Sequence, residues 1–226
     1  MNDETQDIPL FPLDTVLFPG MELPLHIFEE RYRRMIGACL KGDRRFGVLL
    51  ERPVATGRDA TAVHSVGTSA IITRVDKQQD GGLDVQTAGV ERFRVLHVLR
   101  TEPFSVGRVE PFPLEGTDSP AVGPQVKRIG ELFVRYLRLV AETLGTVIRI
   151  QDVPRDACSL AYLIGIALQV SVEEKQGLLS SLTLPALLVR EFSILSREEI
   201  LLGRMQTMQT ANTGYLQAAT SYLSLN

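Results

Sequence analysis

The chain has 226 residues, with 44% hydrophobic and 23% charged residues, a net charge of −3 and a sequence pI near 5.7. A chain of this length forms one or two domains and buries enough surface to fold without disulfides or metals. Its acidic balance weighs against broad nucleic-acid binding, and it has no apolar run long enough to span a bilayer. The opening Met1-Asn2-Asp3-Glu4 lacks the basic and apolar regions of a signal peptide, and Cys39 and Cys158 read as two buried free thiols. A cytoplasmic location is therefore expected.

From Ile8 to Pro113 the chain is rich in Val, Thr, Phe, Gly and Pro, and reads mostly as strands. Strands are expected at Ile8–Phe11, Phe46–Leu50 and Val66–Val75. The alternating runs Leu83–Val90 and Phe93–Val98 predict two more. Gln79-Asp80-Gly81-Gly82 is a hairpin signal, and Gly89 marks a bulge or bend. Phe18-Pro19-Gly20 has Pro and Gly where a type II turn wants them. One helix interrupts the strands. Phe28, Tyr32, Met35, Ile36, Cys39 and Leu40 share a face at helical spacing, with Gly42 placed to stop it.

Pro111 to Pro124 holds four prolines and two glycines, which break helix and strand alike. The expected division is therefore a β domain over 1–113, a linker over 114–124 and a helical part over 125–226. In that last part Val126, Ile129, Leu132, Phe133, Tyr136, Leu137 and Val140 form one helical stripe. Asp156–Val170 is nearly apolar all round, as suits a central bundle helix. Ser171-Val172-Glu173-Glu174 reads as a capping box opening a short helix to Leu179. Thr183-Leu184-Pro185 opens the last helix, where Leu187, Ile194, Leu201, Met208, Tyr215 and Tyr222 recur every seven residues. That seam suits packing within the bundle or self-association. Gly203 and Gly214 weaken its continuity.

Catalytic signatures are missing. There is no G-x-x-x-x-G-K-[ST], no G-x-G-x-x-G after a strand and no G-x-S-x-G. His26, His64 and His97 stand apart at spacings that suit no metal pair, so neither metal nor cofactor is expected. Asp76, Asp80, Asp84, Glu91 and Glu102 read as solvated turn and strand positions. Arg31, Arg33, Arg34, Lys41, Arg44 and Arg45 form the densest basic patch.

Four prolines fall between Pro9 and Pro24, interleaved with large apolar residues. The run Pro9-Leu10-Phe11-Pro12-Leu13, Val16-Leu17-Phe18-Pro19-Gly20, Leu23-Pro24-Leu25, Ile27-Phe28-Glu29 and Arg31-Tyr32 resembles the opening of the Lon protease N-terminal domain, in the version carried by stand-alone bacterial proteins. Arg45-Phe46-Gly47-Val48, Val66-Gly67-Thr68, Ala70-Ile71-Ile72, Gly89-Val90-Glu91-Arg92-Phe93 and Leu168 to Leu179 extend the likeness over residues 8–200. The resemblance implies an α+β fold, a PUA-like pseudo-β-barrel followed by a helical bundle. It also implies a non-catalytic module that binds unfolded or partner proteins, because the ATPase and Ser–Lys protease motifs of full-length Lon are lacking. The expected binding surface is the Pro-rich apolar loop: Phe18, Pro19, Met21, Leu23 and Leu25. PUA-like barrels supply the rival reading, RNA binding, for which the Arg31–Arg45 patch is the candidate face.

Overall fold

A computed structural model of the chain describes residues 5–52, 62–79, 81–146 and 153–223, with α5 beyond Arg204 described as backbone alone. Strand β1 (Gln6–Leu13) changes partner midway. Gln6–Pro9 pairs antiparallel with β7 (Val106–Pro111), whereas Leu10–Leu13 pairs in parallel with β3 (Arg45–Arg52). Each half of β1 is thus laddered on one side, which leaves room for Pro9 and Pro12, whose nitrogens donate nothing. The path β1-β7-β6-β5-β3 then returns to β1 and closes a barrel, with β5 spanning Val66–Lys77 and β6 Leu83–Arg100. Closure removes the free edges of those strands. The short β4 (Ala62–Val63) lies on β3, and β2 (Glu22–Ile27) lies on the first half of β6.

The alternating runs expected as two strands are one continuous β6. The register slips where Thr68 faces Arg92 but Ala70 faces Gly89, so an extra β6 residue sits beside Gly89, as that glycine suggested. Gly89 itself answers a close approach, since a Cβ there would fall 2.2 Å from the Phe18 carbonyl oxygen. The hairpin joining β5 to β6 is present, with Gly81 at φ 85°; Asp80 lies outside the described residues. The turn at Phe18 is also as expected. The Met21 N–H donates to the Phe18 carbonyl at 3.1 Å, and Gly20 has φ 81°. Strands β2 and β7 were not anticipated as strands.

Helix α1 runs Glu30–Cys39 and buries Tyr32, Met35, Ile36 and Cys39. It is shorter than the sequence suggests at both ends. Glu29 is extended at φ −70°, ψ 134°, so Phe28 leaves the helical period and stands 69% exposed. Leu40 is exposed as well, and the left-handed residue after the helix is Arg44 (φ 63°) rather than Gly42.

Four further helices follow: α2 (Val122–Thr143), α3 (Ala157–Ala167), α4 (Val172–Leu179) and α5 (Leu184–Leu223). Helix α2 starts before Pro124, which its first turn tolerates. Asp156 caps α3 by accepting from the Ser159 N–H at 2.8 Å. The capping box of α4 is half formed. Ser171 accepts from the Glu174 N–H at 3.2 Å, but the Glu174 carboxylate turns to Arg197. Gly203 does not interrupt α5, and Met208, Tyr215 and Tyr222 carry side chains outside those described.

The helical core reaches into the barrel. Ile129, Phe133, Tyr136, Leu160, Ile164, Leu187 and Leu195 pack with Val16, Phe18, Leu50 and Val66 in one apolar cluster. Phe112 and Leu114, from the Pro-rich connection, are buried in the same cluster. A second cluster, with Phe11, Met35, Ile36, Phe46 and Val85, fills the barrel beneath α1. No described helix is long and apolar enough to cross a membrane.

Candidate functional site

The Pro-rich loop is held to the barrel by buried threonines. Thr68 donates to the Leu17 carbonyl at 2.6 Å, and Thr87 to the Leu23 carbonyl at 2.7 Å. These bonds satisfy the buried Leu17 carbonyl of the loop and the Leu23 carbonyl of β2. They also fix where each candidate residue goes, and the five do not converge.

Phe18 is an interior residue, 1% exposed, its ring against the backbone of Gly165 in α3. It therefore offers a partner no surface, which corrects its place in the expected set. The cause is the turn at Pro19-Gly20, which points Phe18 inward at the barrel–bundle junction. Pro19 lines a small cavity at that junction. Met21 is half-buried and touches both apolar clusters. Leu23 and Leu25, alternate residues of β2, pack half-buried on the barrel core.

Leu25 also lines a groove of about 440 Å³ where the ends of β1 and β2 meet the start of α1. Its other apolar walls are Phe11, Leu13, Ile27, Phe28 and Tyr32. Phe28 stands at its rim, stacked on His26 with ring centroids 6.4 Å apart. His26 Nδ1 lies 2.7 Å from the Asp84 carboxylate, and Gln78 donates to the other oxygen of Asp84. The hydrogen bond from His26 holds the Asp84 carboxyl below its ordinary range. Deeper in, Tyr32 lies 4.2 Å from the Phe11 ring, and burial raises its phenol above the usual value. The groove thus combines these apolar walls with polar and charged ones, Asp14, His26, Glu29, Arg31 and Glu51. Helical spacing alone puts Phe28 on the buried face of α1, yet it is 69% exposed. Its exposure follows from the extended Glu29, which a spacing argument does not see.

Four of the six residues of the basic patch are in ion pairs, sharing three carboxylates. Arg31 pairs with Glu29 at 2.8 Å, Arg33 and Arg34 with Glu30 at 2.6 and 3.0 Å, and Arg45 with Glu91 at 3.1 Å. Among the described residues there is no cluster of three or more His, Cys, Asp or Glu placed to hold a metal. Cys39 and Cys158 are free thiols; burial pushes the Cys39 thiol up to about 11.

A family model described as the ATP-dependent protease La (LON) substrate-binding domain matches residues 7–197. Among curated proteins, the chain is 27% identical over 205 residues to Lon protease of Dictyoglomus thermophilum, covering 87% of this chain and 25% of that protein. It is 29% identical over 182 residues to Lon protease of Solibacter usitatus, covering 78% and 22%. The chain thus spans about a quarter of the length of these relatives. Among solved structures, the Lon N-terminal domain protein from Xanthomonas campestris aligns with a TM-score of 0.60 at 25% identity, covering 83% of this chain and 98% of that one. The N-terminal domain of Mycobacterium avium complex Lon protease aligns at 0.59 and 19% identity, covering 84% and 98%, a likeness of fold.

Proposed function

Because the chain belongs to the Lon substrate-binding domain family, we propose that it binds non-native segments of other proteins and carries no catalytic step itself. The observation that carries this reading is Phe28: a phenylalanine 69% exposed at the rim of a groove of about 440 Å³ whose lining mixes apolar and polar side chains. Aromatic residues are enriched at the cores of protein contacts. Unfolded segments present the apolar side chains that the groove's apolar walls can take up. Leu25, Phe28 and Tyr32 are the residues assigned to the contact, with Met21 and Leu23 supporting β2 from beneath. Pro24 leaves β2 without one N–H, so the reading rests on side-chain burial rather than on addition of a strand.

The test is binding of a permanently unfolded, carboxymethylated polypeptide, followed by fluorescence anisotropy on the full chain. Phe28→Ser should weaken binding at least about tenfold, the scale of a lost anchor, with the far-UV spectrum and melting temperature unchanged. Undiminished binding by folded Phe28→Ser would remove the groove from the proposal. Absence of binding by the unaltered chain would remove the function.

A further inference from the structure

Arg92 lies at the barrel–bundle junction and is 3% exposed. Its Nη1 donates to the carbonyls of Leu179 and Ser181 at 2.6 and 2.7 Å, closing the C-terminal end of α4 onto β6. Its guanidinium carbon lies 4.8 Å from the centre of the Phe112 ring. Nε and Nη2 have no partner at full hydrogen-bond geometry, and the Tyr162 hydroxyl beside them offsets only part of the cost of their burial. No carboxylate pairs with Arg92 among the described residues. The adjacent acid, Glu91, pairs with Arg45 at 3.1 Å, and Glu110 pairs with Arg94 at 3.2 Å. A buried cation without a counter-charge is costly, because desolvation is not repaid by a partner.

Beside this group lies a cavity of about 300 Å³, walled by Pro19, Val90, Phe112, Pro113, Cys158 and Tyr162. Its walls are mostly apolar; Glu91 also lines it, exposed and paired with Arg45, and its one buried charge is positive. We propose that this junction is a binding site for a carboxylate carried on a small apolar body. The Nε–Nη2 edge of a guanidinium is spaced to hold the two oxygens of one carboxylate in parallel. A single guanidinium balances a single negative charge, which favours a carboxylate over a doubly charged phosphate. A volume of about 300 Å³ is at the small end of ligand pockets and admits a short-chain acid or a C-terminal residue. Either a free short-chain acid or the C-terminal carboxylate of a polypeptide supplies this chemistry. The site is separate from the groove at Phe28 and does not depend on it.

The test uses the full chain and four probes: isovalerate, isovaleramide, N-acetyl-Gly-Leu with a free C-terminus, and its amide. The readout is the rate of Cys158 alkylation by iodoacetamide, with the more buried Cys39 as internal reference. The acids should slow Cys158 alkylation at least fivefold at saturation, and the amides should not. Val90→Trp, at a 37% exposed wall position, should abolish protection by filling the cavity while leaving Arg92 in place. Arg92→Gln should weaken it at least about tenfold, as loss of a charge-assisted hydrogen bond does; Val90→Trp decides the matter if that variant does not fold. Stronger protection by the peptide acid assigns the site to polypeptide C-termini, and stronger protection by isovalerate assigns it to free acids. Equal effects of acids and amides, or none from either, overturn the proposal. Phe28→Ser should leave the protection unchanged, so the outcome is independent of the groove.

Discussion

The ring of Phe18 occupies the space that a side chain at position 165 would need. A Cβ built on Gly165 would come within 2.7 Å of the Phe18 Cε1 atom. This contact joins the Pro-rich loop of the barrel to α3, and it makes Gly165 a packing requirement inside a helix that would otherwise favour Ala. Gly165→Ala should therefore destabilise the protein by about 1–3 kcal/mol, the usual cost of overpacking. Gly130→Ala in α2 is the control, because its nearest neighbour, a Leu160 methyl, is 4.0 Å away. That change should be neutral or stabilise by up to about 1 kcal/mol. Urea denaturation of the two variants checks the pair, and equal effects would sink the packing argument.

Glu191 gives stability a pH dependence. It is 0% exposed, and neither carboxylate oxygen has a hydrogen-bond partner. Burial pushes its carboxyl well above the ordinary 4.5. The folded state therefore holds a proton that the unfolded chain releases. Its contribution is fully present below pH 4.5 and is lost as pH rises from there through the folded value. Glu191→Gln should remove this slope. It should also stabilise the protein at pH 7, because the amide is neutral without taking up a proton. Melting curves from pH 4 to 8 test this, and parallel curves for variant and parent would contradict it.

At α4 the cap and the ion pair should weigh differently. Ser171 accepts from the Glu174 N–H, so Ser171→Ala should cost about 0.5–2 kcal/mol. The Glu174–Arg197 pair, 2.7 Å long, lies largely at the surface, where Arg197 holds the Glu174 carboxyl below its ordinary range. Glu174→Gln should cost less than about 1 kcal/mol, with the difference vanishing in high salt. A reversed ranking in chemical denaturation would show that the ion pair, not the cap, secures this helix.

The partial pairing of the basic patch and the net charge of −3 predict no RNA binding. Arg31, Arg33, Arg34 and Arg45 are each held by a carboxylate within 3.1 Å. Anisotropy with labelled single-stranded RNA at low ionic strength should show no saturable change. A saturable change that falls steeply with salt would restore the nucleic-acid reading.

Much of the architecture was legible because local rules and tertiary demands agree. The Gly20 and Gly81 turns, the stripe of α2 and the Ser171 cap all sit where composition and spacing place them. The failures have common causes. Strand β7 lacks a long alternating pattern, and of its two partners β6 directly precedes it while β1 lies at the other end of the β region. Phe28 fits the helical period of α1, but the extended Glu29 turns it outward. Phe18 was legible as a large apolar residue in a rigid turn, and nothing local says which way a turn points. Arg92 stood inside a matched motif, yet the burial of its charge follows from helix α4 arriving across the barrel, which sequence spacing does not encode.

The closed path of the barrel sets an order on folding. Strand β1 is synthesised first, but its partners are β3 and β7, and Gln6 meets Val109 only after the whole β region exists. Until then the Gln6–Pro9 half of its ladder has no partner, and Ile8 and Leu10 lack their neighbour Val109. Pairings so distant along the chain form slowly, because closure entropy is lost before contacts compensate. The two prolines of β1 withhold donors from any stray strand during that wait. A nascent barrel of this topology is thus guarded at its N-terminus against the aggregation its own late closure invites.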